Sequence, residues 1–439
     1  MRNDKRYFLL VFLLAVALLA AVAAVHNRVE RAIGEFPLPP ELRGSVATRD
    51  GEIVYDGSST KYPEFKATIA NVASGSRGNH LSSNTLGKLY EQNLKVGDLT
   101  AKGGVMQYEG MEPRVMTTTL LPGAAQQRLR EAFGDYNGAL FAYNYKTGEI
   151  YTVLSLPTSH MENLAFGTYS SGSTMKVVTL VAALTQNPEL QNFTYTCTGA
   201  FKPVSGKNIT CDGKHGKVDM TTAIGKSCNC YFAALIQELD VDTTRDILTS
   251  LGFNSIEDKK GTGSIGKLTY STGFATFKAT TSFDEIWKLI GQGNTVSLVD
   301  MARIAGAVAN GGSSADPYVV QSIYDPNEDT YIIEGPTVNV SQLVDPDTAD
   351  LLAGMWSEAV RKHYHTRKVP LDARVTYAKT GTAELTDADG KEYHNRLMIG
   401  AMEEYSVAFM LVTEHVPEGS TQIFTVANTL AQVIAEAGL

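Results

Sequence analysis

The segment from Ser173 to Leu184 places the strongest constraint on the fold of this chain. Its last eight residues, from Val177 onward, include no charged residue, and the one charge in the segment is that of Lys176. A helix that is apolar on all sides is buried within its protein. A lysine in the first turn of such a helix needs a polar partner or a chemical task. We therefore expect a helix that is buried nearly all round, with Lys176 in a polar site.

The pattern of elements around this helix predicts a mixed α/β (α+β) fold. Strands are predicted at 139–143, 149–154, 374–378, 397–401 and 405–412, and helices at 124–133, 173–184, 221–239, 299–309, 347–360 and 424–437. Strands therefore lie at both ends of this region, with a helical block between them. We expect one sheet that is completed by the two ends and covered by helices.

The length of the chain, 439 residues, favours two domains over a single core. Residues 26–113 are polar and rich in Gly and Ser, and they are interpreted as a small, loop-rich N-terminal domain. Residues 114–439 then form the main domain. The net charge of −9 gives no reason to expect a polyanionic partner, so nucleic acid is not expected.

An uncharged apolar run at residues 7–25 follows Arg2, Lys5 and Arg6. It is long enough to cross a bilayer as a helix, and the preceding basic residues favour a cytoplasmic N-terminus. We interpret 1–25 as a cytoplasmic tip and transmembrane anchor of a single-pass protein of the cytoplasmic membrane. The small residues at 21–23 leave a cleaved signal peptide as the alternative, and the bulk of the chain is exported in either case.

The first motif with chemical potential is Ser173-Thr174-Met175-Lys176. The lysine stands three positions after the serine, so both side chains lie on one face at the start of the helix. A neutral lysine amine can act as the base that turns a serine into a nucleophile, provided that burial or nearby cations lower its pKa. By itself the spacing is weak, because a capping serine with a solvated lysine has the same pattern.

The second motif is Ser227-Cys228-Asn229, in a polar break between two helical stretches. From such a loop, the Ser227 hydroxyl can relay a proton and the Asn229 amide can hold a substrate carbonyl. A helix cap explains the same tripeptide, which has almost no specificity of its own.

The third motif, Lys379-Thr380-Gly381-Thr382, follows a predicted strand. On an edge strand, Gly381 leaves space for a substrate backbone to lie alongside. Thr380 and Thr382 can bind a carboxylate, and Lys379 adds positive charge. The backbone N–H groups of Thr382 and Ser173 are candidates for an oxyanion hole.

The three motifs in this order resemble those of the penicillin-binding protein transpeptidase family. The likeness covers about 114–439 and is carried by the segments 169–176, 227–232, 290–294 and 379–384. One departure is Ser171, where the family usually has proline. The segment before Arg114 leaves no room for a glycosyltransferase domain, so a monofunctional, class B-like member is expected. The resemblance implies a transpeptidase or serine β-lactamase-like fold, with an antiparallel sheet and a helical subdomain.

The resemblance also implies the roles of the residues. Ser173 would be acylated by a peptidoglycan stem peptide that ends in D-Ala-D-Ala, with Lys176 as the base. Ser227 and Asn229 would assist proton transfer and hold the substrate. The substrate carboxylate and carbonyl would be bound by Lys379, Thr380, Gly381 and Thr382. An amine of a neighbouring stem peptide would then attack the acyl-enzyme, and β-lactams would trap the serine as an ester. The reaction requires no cofactor.

Three related functions remain open at this point: a DD-carboxypeptidase, which uses water in place of the amine, a serine β-lactamase, and a non-catalytic β-lactam sensor. A β-lactamase has no need of an anchor and an N-terminal domain. The implied partners are stem peptides, β-lactam antibiotics, the cytoplasmic membrane and a membrane-embedded glycan polymerase.

Four cysteines fall between residues 197 and 230, close to the second motif. Cys197, Cys211, His215 and Cys228 match a structural zinc site of three thiolates and one imidazole, and some relatives in the family carry a metal near this place. A disulfide between Cys197 and Cys211 is the main alternative in an exported chain. Free buried thiols are the third interpretation, with Cys230 the spare residue in each case.

Overall fold

The computed structural model describes residues 16, 18–25, 43–70, 72–75, 78–81, 83–94, 101–102, 105–106, 112–160, 162–255, 261–386, 390 and 392–439. Within these ranges, no helix has the length and apolar character needed to cross a bilayer. The predicted anchor lies mostly outside the described residues, of which 18–25 are helical with exposed side chains.

A five-stranded antiparallel sheet, here called the central sheet, joins the two ends of the main domain. In spatial order its strands are Tyr377–Thr386, Glu392–Met402, Val407–Val416, Gly138–Asn144 and Ile150–Leu156. The last three strands of the chain thus pair with an earlier hairpin. Tyr377–Thr386 is left as an edge strand, which is called the edge strand below.

Helices cover the central sheet in two groups. Gly123–Glu131 and Gln422–Glu436 pack on it and against each other, and Arg128 and Glu436 form an ion pair between them. Leu298–Ala309 and Pro346–His363 form the second group. The buried indole of Trp356 donates a 2.8 Å hydrogen bond to the Ala378 carbonyl, which anchors the second group to the edge strand.

The helix predicted from the apolar segment is confirmed as Met175–Gln186, and every side chain from Met175 to Leu184 is buried. It packs among other helices, including Pro346–His363 and Phe283–Ile290. The remaining α-helices of the described chain are Leu86–Leu89, Glu91–Leu94, Met220–Lys226, Asn229–Ile236 and Val241–Ser250.

A second five-stranded sheet combines segments from both sides of the predicted domain boundary. Its order is Ile53–Tyr55, Ser45–Ala47, Val115–Thr118, Val320–Asp325 and Thr330–Glu334. Ser45–Ala47 pairs in parallel with Val115–Thr118, and the Arg114 side chain forms an ion pair with the buried Asp325. Residues 45–55 therefore share a sheet with the main domain.

Short two-stranded ladders complete the described chain. They pair Val72–Gly75 with Gly78–Leu81, Ala101–Lys102 with Val105–Met106, Thr168–Ser170 with Thr295–Ser297, Tyr195–Cys197 with Gly216–Val218, Ala200–Phe201 with Ile209–Thr210, Thr262–Ile265 with Leu268–Ser271, and Ser313–Ala315 with Val340–Gln342.

The edge strand differs from its prediction. The sequence pattern placed a strand at 374–378, with the third motif after its end, whereas the strand begins at Tyr377 and contains the whole motif. Threonine and glycine beside a lysine do not alternate in polarity, so the sequence pattern placed the end of the predicted strand too early. Pairing along the full length of Glu392–Met402 supplies the hydrogen bonds that extend it.

Candidate active site

Ser173 lies on a single helical turn, Gly172–Thr174, directly before the buried helix. Its side chain is partly exposed, whereas Ser171 and Thr174 beside it are fully buried. The Ser171 N–H donates to the Asn294 carbonyl at 3.1 Å, and its hydroxyl donates to the Gly291 carbonyl at 3.2 Å. Serine in place of proline at this position thus adds two hydrogen bonds that hold the turn.

Glycines allow three backbones to meet at this turn. Gly172 has a φ of +50°, and a Cβ there would lie 2.8 Å from the Thr382 carbonyl oxygen. A Cβ at Gly291 would lie 1.8 Å from the Gly172 oxygen, and one at Gly381 would lie 3.1 Å from the Ser173 nitrogen. Gly381 was predicted to leave space for a substrate backbone, and the structure gives a different reason for a glycine at this position. Its missing side chain lets the edge strand approach the serine turn.

The Lys176 amine is fully buried and has four polar neighbours. Its Nζ lies 3.0 Å from Ser173 Oγ and 2.6 Å from Asn229 Oδ1. It also lies 2.9 Å from the Ser227 carbonyl oxygen and 3.0 Å from Ser227 Oγ. Burial holds the pKa of Lys176 well below its ordinary value, and repulsion from the nearby Lys379 lowers it further.

The orientation of the neutral amine follows from its neighbours. A neutral amine has two N–H donors and one lone pair, while a carbonyl or amide oxygen can only accept. The Ser227 carbonyl and Asn229 Oδ1 therefore take the two N–H groups. The lone pair remains for a hydroxyl proton, and Ser173 Oγ lies at 3.0 Å. This is the geometry that a general base requires.

Ser227 connects the two lysines. It ends the helix Met220–Lys226 with a left-handed backbone conformation (φ +56°). This conformation costs free energy for a residue other than glycine, and residues strained in this way cluster at functional sites. Its hydroxyl lies 3.0 Å from the amines of both Lys176 and Lys379. A proton can therefore pass through this hydroxyl between the lysine beside the serine and the lysine of the edge strand.

The Asn229 amide is oriented from outside the motif. Its Nδ2 donates a 2.9 Å hydrogen bond to the Thr210 carbonyl, so its oxygen faces Lys176. Beneath the amine, the Phe232 ring lies 5.4 Å from Lys176 Nζ. The motifs assigned no role to Thr210 or Phe232. Phe232 lies one helical turn after Asn229, and that spacing alone could have suggested it.

Lys379 is fully buried and donates to the Thr380 carbonyl at 2.6 Å as well as to Ser227. Burial lowers the pKa of Lys379 to about 7, and the charge of Arg367 contributes in the same direction. The lysine therefore titrates near neutral pH, and an anionic ligand that binds beside it favours the protonated form.

Tyr364, which the motifs did not indicate, contacts the exposed side of the edge strand. Its hydroxyl lies 3.0 Å from Thr380 Oγ1 and accepts the Thr380 N–H at 3.1 Å. Because N–H groups of alternate residues point the same way in an antiparallel strand, the Thr382 N–H also faces the free edge. Thr382 is thus available to a ligand, whereas Thr380 is held by the tyrosine.

The four predicted metal ligands lie together beside the second motif. The ligand atoms of Cys197, Cys211, His215 and Cys228 are all within 4.8 Å of one another. Cys211 Sγ lies 3.8 Å from Cys228 Sγ and 3.4 Å from His215 Nδ1. All four cysteines of the chain are free thiols in this structure.

The structure thus brings the three motifs to one place. Ser173, Lys176, Ser227, Asn229 and Lys379 form a continuous hydrogen-bonded set, and Gly381 and Thr382 contact the serine turn. The second Lys-Thr-Gly of the sequence, at 146–148, lies in the turn between Gly138–Asn144 and Ile150–Leu156 and takes no part.

Comparison with known proteins points to the same chemistry. Residues 138–435 match the family described as penicillin binding protein transpeptidase domain. Stage V sporulation protein D of Bacillus subtilis (strain 168) is 26% identical over an alignment of 276 residues, and the match covers 59% of this chain and 41% of the relative. The match therefore spans less than half of that relative.

Solved structures share the fold. The transpeptidase domain of a peptidoglycan glycosyltransferase from Eggerthella lenta is 21% identical with a TM-score of 0.70, and 91% of this chain and 99% of that one are covered. Penicillin-binding protein A from Mycobacterium tuberculosis, solved as a ceftriaxone acyl-enzyme, is 19% identical with a TM-score of 0.71 and the same coverage. The predicted mixed α/β transpeptidase fold is confirmed.

Proposed function

The chain belongs to the penicillin-binding protein transpeptidase family, and from this we propose that it is a serine DD-transpeptidase that cross-links peptidoglycan stem peptides and is acylated by β-lactams. The observation that carries the proposal is the position of a buried amine of lowered pKa, that of Lys176, 3.0 Å from Ser173 Oγ. A lysine in this state is neutral enough to accept the serine proton.

In the acylation step, Ser173 Oγ attacks the carbonyl carbon of the penultimate D-alanine and its proton moves to Lys176 Nζ. The peptide bond then breaks, and the leaving amine of the terminal D-alanine takes a proton through the Ser227 hydroxyl, which contacts both lysines. The N–H groups of Ser173 and Thr382 are the proposed oxyanion donors, because the edge strand and the serine turn are in direct contact.

In the second step, the side-chain amine of a neighbouring stem peptide attacks the ester carbonyl. It loses a proton to the neutral Lys176 amine, a new amide forms, and Ser173 recovers its proton. Lys379 and Thr382 are proposed to hold the substrate carboxylate during acylation, with Thr380 positioned by Tyr364. A β-lactam places its ring carbonyl in the same site and leaves Ser173 esterified.

Intact-mass analysis after incubation with penicillin tests this function. The purified chain should gain one covalent adduct, which peptide mapping assigns to Ser173, and Ser173→Ala should gain none. Ser357→Ala, on the helix Pro346–His363, is the matched control and should label as the unmodified chain does. Equal labelling of the chain and of Ser173→Ala would overturn the proposal.

Turnover distinguishes the related reactions. The penicillin adduct should persist for minutes or longer, whereas release at about 10 per second, a typical enzyme rate, would identify a β-lactamase. With a stem-peptide donor and an amine acceptor, the ratio of cross-linked to hydrolysed product separates a transpeptidase from a carboxypeptidase. A sensor would form the adduct and turn over neither substrate.

Location at the cytoplasmic membrane is a further part of the proposal. The apolar run at 7–25 after three basic residues supports a single anchor with the catalytic domain outside the membrane. Membranes washed with alkaline carbonate should retain the full-length chain and release a variant that lacks residues 1–25. Recovery of both in the wash would exclude the anchor. A membrane-embedded glycan polymerase remains the proposed partner, on the family resemblance alone.

We also propose a structural zinc ion held by Cys197, Cys211, His215 and Cys228. In a tetrahedral site with Zn–S bonds of about 2.3 Å, the sulfur atoms lie about 3.8 Å apart and a sulfur and a nitrogen about 3.5 Å apart. The distances of 3.8 Å and 3.4 Å around Cys211 agree with both values. The Cys211–Cys228 and Cys211–His215 pairs therefore have the spacing of a tetrahedral zinc site, and all four donor atoms lie within 4.8 Å of one another.

A zinc ion at this site would help to hold the second motif, Ser227-Cys228-Asn229, in place. Cys228 lies between Ser227 and Asn229, and Cys211 follows Thr210, whose carbonyl orients the Asn229 amide. Bound zinc supplies cross-links and takes no part in the proton transfers. By tying these two segments together, the four ligands would hold Asn229 Oδ1 against Lys176.

A further inference from the structure

Two arginines beside the edge strand have no acidic partner. Arg367 follows the helix Pro346–His363, and Arg396 lies on the strand Glu392–Met402. Within the part of the chain that the structure describes, neither guanidinium forms an ion pair. The buried Nε of Arg396 also has no hydrogen-bond partner there. A partly desolvated guanidinium without an anion is costly, so the fold alone does not explain these two side chains.

Aromatic rings hold Arg367 close to the edge strand. Its guanidinium carbon lies 4.6 Å from the centroid of the Tyr364 ring and 5.4 Å from that of Phe424. Its Nε donates a 3.0 Å hydrogen bond to the His363 carbonyl. The Tyr364 hydroxyl in turn contacts Thr380. The guanidinium is thus fixed beside the third motif, with its terminal nitrogen atoms free to bind a ligand.

Arg396 approaches the same threonines from the sheet. It lies directly opposite Thr382 in the strand register. Residues that face each other across two strands have their side chains on one face, which Thr382 shares with Thr380. The two strands are about 5 Å apart. An extended arginine carries its terminal nitrogen atoms about 7 Å from its Cα, so Arg396 can reach past Thr382 to the free edge.

The two arginines and Lys379 repel one another. Burial lowers the pKa of both Lys379 and Arg396, and the charge of Arg367 lowers both values further. Glu418 opposes this effect at Arg396, but less strongly. Like charges held this close destabilise one another, and an anion among them relieves the repulsion. The three cations therefore form a carboxylate site on the side of the edge strand that carries the threonine hydroxyls.

The proposed reaction removes one carboxylate from these cations before the second step. The terminal D-alanine brings its carboxylate to Lys379 and Thr382 and takes it away when it leaves. The acceptor amine must reach the ester carbonyl from the position of the leaving amine, because aminolysis is the reverse of acylation with a different amine. An amine whose own carbon carries a carboxylate therefore reproduces both contacts of the departed D-alanine.

We propose that Arg367 and Arg396, together with Lys379, bind a carboxylate on the carbon that carries the attacking amine and thereby select the acceptor. The inference rests on the proposed function. The preferred acceptor is a stem peptide whose side chain ends as an amino acid, as in diaminopimelate, over one that ends in a plain amine, as in lysine.

The arginines bind and orient the acceptor and take no part in the bond changes. The acceptor nitrogen attacks the ester carbonyl carbon, and an amide bond forms as the bond from that carbon to Ser173 Oγ breaks. The proton lost by the amine passes through Lys176 Nζ to Ser173 Oγ. Water in place of the amine gives the hydrolysed product, so the two products report how well an acceptor is held.

The test compares two acceptors that differ only in the carboxylate, D-2-aminobutyrate and D-2-aminobutyramide, at equal concentrations of free amine. A thioester donor, N-benzoyl-D-alanyl thioglycolate, acylates Ser173, and mass spectrometry gives the ratio of aminolysed to hydrolysed product. The unmodified chain should favour the carboxylate-bearing acceptor by more than about tenfold. In Arg367→Gln/Arg396→Gln, this preference should fall below about twofold. Because both products come from the same acyl-enzyme, slower acylation does not change the ratio.

Arg361→Gln/Lys368→Gln is the matched control. It removes the same net charge from two exposed positions on either side of Tyr364, and it should keep the preference. Equal ratios for the two acceptors in the unmodified chain, or no aminolysis of either, overturn the inference. A preference that survives Arg367→Gln/Arg396→Gln, or that is lost equally in the control, overturns it as well.

Penicillin labelling of Ser173 in each variant shows whether the fold is intact. If the double variant does not label, Arg367→Gln alone serves, because Arg367 is exposed. It should reduce the preference by at least about threefold, and an unchanged preference would then count against the inference. Failure of penicillin to label Ser173 in the unmodified chain would instead overturn the proposed function.

Discussion

The side-chain amide of Asn229 donates a 2.9 Å hydrogen bond to the backbone carbonyl of Thr210. With its nitrogen committed there, the amide can present only its oxygen to Lys176, at 2.6 Å. The hairpin that carries Thr210 therefore determines which group the lysine meets. This contact also connects the cysteine cluster to the lysine, since Cys211 is the next residue.

Asn229→Asp should shift the pH dependence of acylation. A carboxylate beside Lys176 favours the ammonium form and opposes the burial that lowers the pKa of the lysine. The neutral fraction then falls, so penicillin acylation at pH 7 should slow by more than about tenfold and recover as the pH rises. Intact mass spectrometry over a pH series measures it. Asn187→Asp, at a remote helix cap, is the control, and an unmoved profile would contradict the role of the amine.

Lys379→Arg should remove the alkaline limb of the pH profile. The pKa of Lys379 is lowered to about 7, so above that pH the unbound enzyme loses the cation that attracts the substrate carboxylate. The kcat/KM for a donor peptide should therefore decrease above neutral pH. Arginine stays charged, so the variant, although slower, should keep a flat profile to about pH 9. Lys146→Arg, in the other Lys-Thr-Gly, should retain the decrease.

Gly291→Ala should disable the serine turn. A methyl group there would lie 1.8 Å from the Gly172 oxygen and 3.0 Å from the Ser173 nitrogen, and the φ of Gly291 is +127°. We expect a loss of about 1–3 kcal/mol in the free energy of unfolding and acylation at least about tenfold slower. Gly293→Ala has a similar strain (φ +98°), but its Cβ would meet only Lys288 Cγ, at an ordinary contact distance of 3.6 Å. That control should lose stability and keep most of its acylation rate; equal loss of acylation in both would refute the contact.

Asp300→Asn should stabilise the chain at neutral and alkaline pH. Asp300 is buried, and burial raises the pKa of its carboxyl to about 6. Because the folded state binds this proton more tightly than the unfolded state, stability decreases as the pH rises from about 4 to about 6. Asparagine removes the charge and keeps an acceptor for the Tyr270 hydroxyl, which now donates to Asp300 Oδ1 at 2.8 Å.

The expected gain is up to about 3 kcal/mol above pH 6 and close to zero at pH 4. Denaturant unfolding at the two pH values measures it. The exposed Asp347→Asn serves as the control and should show no such pH dependence. A gain of equal size at both pH values would mean that the charge of Asp300 is not its source.

The zinc site predicts about one zinc per chain in protein purified without chelator. Cys228→Ser should lower the zinc content, the melting temperature and the rate of penicillin acylation together, because the ligand adjoins Ser227 and Asn229. Cys230→Ser is the matched control, since Cys230 is buried nearby and is not one of the four ligands. Less than about a tenth of a zinc per chain, with two thiols missing from a count under denaturing conditions, would assign the site to a disulfide instead.

Local spacing accounts for what could be predicted of the site. The three-position spacing of Ser173 and Lys176 places both side chains on one helical face, whatever surrounds them, because helix geometry is local. The apolar run that follows requires burial, and burial lowers the pKa of the lysine. The nucleophile and its base are therefore a consequence of about a dozen consecutive residues.

The strand that carries Lys379 is an example of a feature that the local sequence pattern could not predict in full. Its lysine meets Ser227 across 152 positions of sequence, and its full length exists only through pairing with Glu392–Met402. Similarly, Ser45–Ala47 reads as part of a loop-rich segment yet pairs with Val115–Thr118. Neither pairing leaves a periodic signal in its own segment.

The sequence by itself determined the local pieces of this protein: a buried helix with a serine and a lysine on one face, a polar break, and a glycine that permits close approach. Tertiary structure alone decided that Tyr364 holds Thr380, that Thr210 orients Asn229 and that Gly381 faces the serine turn and not the substrate. The physical reason is that the two kinds of interaction act over different distances along the chain. Backbone geometry acts over a few residues, whereas the contacts between distant segments depend on how the whole chain buries its apolar surface.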